Sequence, residues 1–276
     1  MNCDLAVLIM GYDGYFPAWE INAQYFLKYW KNCPFNIYFS TGEREAPFPF
    51  KTIKCGREKD YCSRAKLALS KIPEKYIILL QDDYFIIHQP DNEKLFLLSC
   101  FMEKNDAFCL RLSPYPCAKT NEICFSGIRM GQIQPGGLYS VNVQASIWNR
   151  SKFAKFIEKY STVWDIEYLG SKDCNSSEKI YCLDRKNAKE IYQDIGTEGA
   201  IQAGKWTRKF AKRAKQEGIN LPKEIEVESL HYYLWKKLKC TLLMPLFLLL
   251  KKTPLYSLYR KKRYQKVLAR ETKEKE

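Results

Sequence analysis

Two adjacent carboxylates, Asp82 and Asp83, stand at the end of an apolar run, Tyr76-Ile-Ile-Leu-Leu80, with Gln81 between. Neighbouring acids repel, so a positive partner is expected. A hard divalent cation shared with a phosphate-bearing substrate is the natural one, because such ions favour carboxylate and phosphate oxygens. The competing role is a solvated strand end in which Asp83 caps the next turn. A third acid, Glu167, lies in Val163-Trp-Asp-Ile-Glu-Tyr-Leu-Gly170. On a helix Trp164 and Glu167 share a face, where the indole would shelter the carboxylate and raise its pKa; a surface acid beside a half-buried Trp is the alternative. Lys205 and Arg208 close a segment, residues 194–208, that carries Gly196, Gly199 and Gly204. Glycines there permit close backbone approach to phosphates that the two cations could meet, or make a lid hinge. The spacing from Gly199 to Lys205 is that of a phosphate loop, but Trp206 stands where a hydroxyl residue is required.

The elements that would position these groups alternate between strands and helices. The run ending at Leu80 is rich in branched apolar residues, the pattern of a central strand buried on both faces of a largely parallel sheet. Ligands of such sheets bind beyond the carboxyl ends of the strands, which is where the acid pair falls. Leu5–Met10 is a first strand stopped by Gly11. Trp19, Ala23, Phe26, Leu27 and Trp30 then follow at helical spacing, and Phe35–Phe39 closes a β-α-β unit. In the loop after the first strand, Asp13 either touches a bound nucleotide or makes a plain turn with Gly14. Asp60, Ser63 and Arg64 open the helix before the key strand, either capping it or contacting base, ribose or phosphate. A helix is expected over Leu95–Met102 and a strand over Ala107–Leu112. From Cys117 to Trp148 short alternating stretches separated by glycines predict a small mixed or antiparallel region, in which Gln144 faces either the site or the sheet surface. A further helix carries Phe153, Phe156, Ile157 and Tyr160, and strands are expected at Ile180–Leu183 and Glu190–Tyr192.

Charge divides the chain of 276 residues. The first 200 residues hold 25 Lys and Arg against 24 Asp and Glu, whereas the rest hold 20 against 7. The basicity is therefore local and calls for a local partner rather than describing the sheet. Eleven cysteines without a Cys-x-x-Cys pair resemble neither a secreted framework nor a zinc site. Reduced cytosolic thiols are expected, and Leu5–Met10, preceded by Asp4, is too short for a signal peptide. The longest apolar run, Thr241–Leu250, contains Pro245 and falls short of the roughly 20 residues a spanning helix needs. Residues 229–268 interleave aromatic and aliphatic side chains with lysines and arginines, as an interfacial helix on an anionic leaflet does.

Several of these stretches occur in a recognisable order: the first strand with its Tyr12-Asp13 loop, Tyr29-Trp-Lys-Asn-Cys-Pro34, Ser63-Arg64, Leu79-Leu-Gln-Asp-Asp-Tyr-Phe-Ile86, Gln144-Ala-Ser-Ile-Trp148, Trp164-Asp-Ile-Glu167 and Gly204-Lys-Trp206. Over about residues 4–210 the set resembles the bacterial GT-A-type glycosyltransferases of capsule, O-antigen and exopolysaccharide synthesis. The resemblance implies an α/β fold with a Rossmann-like, mostly parallel central sheet, a small mixed subregion and a C-terminal helical tail, divided as a catalytic domain 1–220 and a basic tail 221–276. It further implies a nucleotide-sugar donor, a UDP-sugar by default, met by Asp13, Asp60, Ser63, Arg64, Asp82, Lys205 and Arg208. Mg²⁺ or Mn²⁺ would be held at Asp83 and Asp82, with His231 a further ligand or a helix-surface residue, and His88 open in the same way. One departure is Gln81, which stands where the family's metal motif has an acid, so that Lys205 and Arg208 could replace the ion.

The residue types support such a transfer by themselves. Loss of a nucleoside diphosphate builds negative charge that a cation at Asp83 would stabilise, while Glu167 takes the proton of an attacking hydroxyl, with inversion. The acceptor would be a lipid-linked oligosaccharide at the cytoplasmic face of the membrane, on which residues 229–268 dock the enzyme as a peripheral protein. Competing expectations are a metal-dependent nucleotidyltransferase, which releases pyrophosphate instead, and a basic tail that binds nucleic acid. The Leu-rich run 242–250 favours lipid. An ordinary helical hairpin packed on the catalytic domain is the remaining alternative for the tail.

Overall fold

The computed structural model describes residues 4–56, 60–115, 120–137, 139–175, 177–196, 199–250 and 265. Cys117, Leu138 and, of the tail, residues 251–264 and 266–276 lie outside that set. The chain divides into two compact units, Met1–Glu226 and Val227–Glu276. Residues 221–226 stay with the first because the Trp206 N–H donates to the Glu226 carbonyl at 2.8 Å.

The first unit opens with β1 (Leu5–Met10), α1 (Phe16–Trp30), β2 (Asn36–Thr41), β3 (Lys51–Lys54), α2 (Tyr61–Ser70) and β4 (Tyr76–Gln81). It continues through α3 (Asn92–Asn105), β5 (Cys109–Arg111), β6 (Thr120–Phe125), β7 (Ile128–Ile133), β8 (Ser146–Asn149) and α4 (Arg150–Phe156). A short α5 (Val163–Asp165) runs through a π-helical turn, Ile166–Gly170, into α6 (Ser171–Asp173). Then come β9 (Ile180–Leu183), α7 (Arg185–Ile191), the small hairpin of β10 (Ile201–Gln202) and β11 (Lys205–Trp206), and α8 (Arg208–Gln216). The second unit contains α9 (Leu230–Leu250).

Nine of the described strands form one sheet in the order β3-β2-β1-β4-β8-β5-β9-β7-β6. From β3 to β4 every pairing is parallel. β8 lies antiparallel between β4 and β5, β5 and β9 are parallel, and β7 and β6 complete an antiparallel margin. The fold is thus α/β, a largely parallel half joined to a mixed one. β4 is buried on both faces: Ile78 and Leu80 pack with Val7, Ile9 and Trp19, while Ile77 and Leu79 pack with Ala6, Leu8 and Trp148. Each such side chain contributes roughly 1.5–3 kcal/mol by leaving water.

The structure departs from the sequence expectations at three places. Glu190 and Ile191 end α7 instead of forming a strand, because the Asp184 carboxylate accepts the Asn187 N–H at 2.6 Å and starts a helix there. Between Cys117 and Trp148 the expected antiparallel strands form as β6, β7 and the start of β8, but the described residues 139–145, expected to alternate as part of the same region, form none. β3, short and largely polar, lengthens the parallel half at its edge.

Because both faces of β4 are covered, Ile77→Ala and Ile78→Ala are each expected to destabilise the first unit by about 2–5 kcal/mol in urea unfolding, although they point in opposite directions. A sheet with one solvated face would spare one of them.

Candidate active site

Parallel register brings the carboxyl ends of three neighbouring strands to one level, since Met10 of β1 lies opposite both Ser40 of β2 and Gln81 of β4. Beyond that level the two acids after β4 take different directions. Asp82 turns inward: its carboxylate accepts the Tyr12 N–H at 2.8 Å and the Trp19 indole N–H at 3.0 Å, and its carbonyl accepts from the Asn22 amide at 2.9 Å. It is 5% exposed. Burial pushes its pKa up to about 6, against the pull of those two donors and of Arg64. Through Oδ2 its carboxylate holds the first loop to α1.

Asp83 faces the glycine-rich segment. Residues 193–195 run antiparallel past 85–87, with Ile195 N–H donating to Phe85 O at 3.0 Å, and Ala200 N–H donates to Asp83 O at 2.7 Å. Gly199, at φ +67°, lies against the Asp83 carboxylate, where a β-carbon would collide with Oδ2. Burial first, then the charge of Asp82 and that of Asp194, hold the Asp83 carboxyl well above the usual range. Asp194 is pushed up to about 6 by burial, opposed by the Gly196 N–H that it accepts at 2.7 Å. Two phenols lie within electrostatic reach of these acids. Tyr84 is raised by burial and by Asp83, Asp194 and Glu167. Tyr192 is 3% exposed, within electrostatic reach of Asp194, and among the described residues its hydroxyl has no hydrogen-bond partner.

Glu167 lies in the π-helical turn, and the Val143 N–H donates to its Oε1 at 3.2 Å. Burial pushes its pKa up to about 7, opposed by that N–H and by the Arg111 guanidinium. Trp164 is 40% exposed; the groups within electrostatic reach of Glu167 include Tyr61, Tyr84 and Arg111. The segment after residue 138 is shaped around it. Arg111, 1% exposed at the end of β5, donates to the carbonyls of Tyr139 and Ser140, the latter at 2.5 Å. Ser171 binds both the N–H and the carbonyl of Val141, at 3.0 and 2.9 Å. Gln81 donates to the Val143 carbonyl at 3.2 Å and to the Tyr61 hydroxyl at 3.0 Å, so the residue standing in place of a motif acid ties β4 to the platform of Glu167.

The other expected site residues take varied places. Asp13 makes the turn: its carboxylate accepts the N–H groups of Gly42 and Glu43 at 2.7 and 3.0 Å, clamping the loop after β1 to that after β2. Asp60 caps α2, accepting both the N–H and the hydroxyl of Ser63 at 3.0 and 2.8 Å. Arg64 donates to the Gly11 carbonyl at 3.0 Å, and among the described residues its buried Nε has no partner. Gln144 accepts the Ser113 hydroxyl at 3.2 Å. Lys205 is exposed and paired with Glu226 at 2.6 Å, and Arg208 begins α8. His88 is exposed, and so is His231 on α9 in the second unit. Arg111 and Asp194 were not among the candidates. Their signals were a lone cation within an apolar strand and an acid directly before a glycine-rich loop.

Among the described residues no group of three or more histidine, cysteine or acidic side chains converges to hold a metal on protein ligands alone. Magnesium needs fewer, since it retains water and takes phosphate oxygens with one or two carboxylates. Asp83 and Asp194, each raised in pKa by burial and Asp83 further by its acidic neighbours, have that donor chemistry.

Glu167 binds its proton more tightly in the folded than in the unfolded chain, so its ionisation costs stability as pH rises from about 4.5 through about 7. Glu167→Gln, which keeps an acceptor for Val143 N–H, is expected to leave the melting temperature unchanged at pH 4 and to raise it above wild type at pH 8. A difference of the opposite sign would show the carboxylate to be stabilised as an anion.

No family model matches the sequence, and no curated protein matches it. Solved structures similar to this one include a cytidylyltransferase from Leptospira borgpetersenii serovar Hardjo-bovis (strain JB197), at 13% identity and a TM-score of 0.45 over 83% of this chain and 99% of that one. S. aureus TarS 1-349 is similar at 12% identity and TM-score 0.41, over 68% of this chain and 59% of the other. The bifunctional IspDF from Campylobacter jejuni is similar at 10% identity and TM-score 0.37, over 68% and 51%.

Proposed function

We propose that the protein transfers a sugar from a nucleoside-diphosphate sugar to a hydroxyl of a lipid-linked glycan, with Glu167 as the base and Asp83 and Asp194 as the seat of a divalent cation. The observation that carries this proposal is the division of labour beyond β4. Asp83 and Asp194, a pair of acids fit for a hard ion, and Glu167, a single carboxylate on a hydrogen-bonded platform, all lie within electrostatic reach of Tyr84. Transfer needs both: one negative group to receive a proton and a separate place for the charge of a leaving diphosphate.

In the proposed reaction the acceptor oxygen forms a bond to the anomeric carbon as the bond to the diphosphate oxygen breaks, and the acceptor proton passes to Glu167. A single displacement inverts the anomeric carbon. A divalent ion, Mg²⁺ or Mn²⁺, supplies when bound the positive charge that stabilises the departing diphosphate. Val143 N–H orients Glu167, and Arg111 favours its ionised form before the proton arrives. Arg64, with an unpartnered Nε beside the end of β1, is suited to an anionic or base oxygen of the nucleotide.

For the second unit the proposed partner is an anionic membrane surface. Leu230, Leu234, Leu238 and Leu242 form an exposed stripe at every fourth residue of α9, with Trp235 beside it and Lys237 and Lys239 also exposed. Among the described residues no helix is long and apolar enough to cross a membrane, and the proposed location is peripheral, on the cytoplasmic face.

A panel of nucleotide sugars screened by thermal shift, with and without Mn²⁺, followed by product analysis, tests the assignment. Binding of one donor is expected to raise the melting temperature, Asp83→Asn to remove the metal-dependent part, and nucleoside diphosphate to be released. Glu167→Gln is expected to keep the donor-induced shift and lose roughly 10²–10⁴-fold in transfer rate. Release of pyrophosphate would instead assign nucleotidyl transfer, and near-wild-type turnover of Glu167→Gln would place the base elsewhere.

A further inference from the structure

We propose that α8 is a second docking element for an anionic lipid surface, carried by the first unit itself through the exposed Lys209, Lys212 and Lys215. This inference rests on the membrane association proposed for the second unit. Spaced three apart, the lysines share one face of the helix, and all three are exposed. Among the described residues none of them lies in an ion pair; the nearest acid in sequence, Glu217, is taken by Lys28 at 2.7 Å and Arg213 at 2.7 Å.

The opposite face of α8 is fixed. Phe210 and Ala214 are fully buried, Phe210 against Tyr25, Phe85 and Trp206. The Thr207 side chain caps the helix, and Thr207 N–H donates to the Ala200 carbonyl at 2.8 Å. Ala200 in turn donates to the carbonyl of Asp83 at 2.7 Å. The basic face is therefore held at a set orientation to the proposed diphosphate site, two hydrogen bonds away from it.

Charge complementarity identifies the partner class. Over residues 1–200 the positive and negative charges nearly cancel, and the excess begins with the stretch that contains α8. In the same stretch the exposed leucines of α9 point to lipid rather than to a phosphate backbone alone. Anionic headgroups met by α8 would orient the site toward a membrane-borne acceptor, which the second unit alone need not do.

The test uses the full chain and sedimentation with phosphatidylcholine vesicles, with and without phosphatidylglycerol. Each lysine near an anionic surface contributes about a factor of five in partitioning, so K209Q/K212Q/K215Q is expected to bind anionic vesicles on the order of 100-fold more weakly, with an unchanged melting temperature. L234S/L238S in α9 is expected to weaken binding to both vesicle types. Wild-type-like partitioning of the triple variant would overturn the role of α8 and leave the second unit's role intact. Failure of the wild-type chain to bind anionic vesicles would overturn both, and a triple variant that loses RNA binding while keeping vesicle binding would assign α8 to nucleic acid instead.

Discussion

The buried carboxylate of Asp82 is the constraint on which the rest of the site depends. It satisfies a backbone N–H of the loop after β1 and the indole of α1, while its own carbonyl takes an amide from the next turn of that helix. Removing it would leave two buried donors unmatched, each costing on the order of 1–3 kcal/mol. The same bonds set the direction of the chain beyond β4, so that its neighbour, Asp83, faces the glycine-rich segment. Burial raises the pKa of Asp82 in spite of the two donors, which means that desolvation outweighs them: the group is held for its geometry at some cost to its charge.

A second constraint acts from the opposite side. The residues from 139 to 145 contribute no strand, and their polar groups are matched by Arg111, Ser171, Glu167 and Gln81. A backbone without ladder partners must find others, and here it finds them among side chains that converge from three elements. Glu167 is at once a partner in this stitching, through Oε1, and the one carboxylate among these four side chains. Its π-helical turn belongs with that role, since such turns shift a side chain relative to the flanking helical register.

The parallel half of the fold, with β4 buried within it, was legible in the sequence, because double-sided burial writes itself as consecutive apolar residues and a β-α-β unit as a change of period. What stayed illegible depends on contacts distant along the chain. That Asp82 would turn inward and Asp83 outward follows from Trp19 and Gly199, 63 residues before the one and 116 after the other. Asp60 and Ser63 are open between capping and binding in the sequence; the structure shows the cap, a local hydrogen bond that their spacing allows. Arg111 was passed over because an apolar strand hides one cation in its pattern, and Asp194 because its partner acid lies more than a hundred residues earlier.

The segregation of charge bears on how an acidic site can work beside an anionic surface. Interactions between exposed charges fade over about 8 Å at physiological ionic strength, so acids enclosed beyond β4 need not repel lipid headgroups that meet the protein elsewhere. Cations obey the same limit and act only where they reach the surface. Lys209, Lys212 and Lys215 meet that condition, standing out from a helix whose other face is locked into the core. Lys205 is exposed too, but it is matched by Glu226. On the proposed function, then, attraction to the membrane and chemistry at the diphosphate can coexist in one chain because each acts within its own screening length, while the hydrogen bonds from Thr207 through Ala200 to Asp83 keep the two at a fixed orientation.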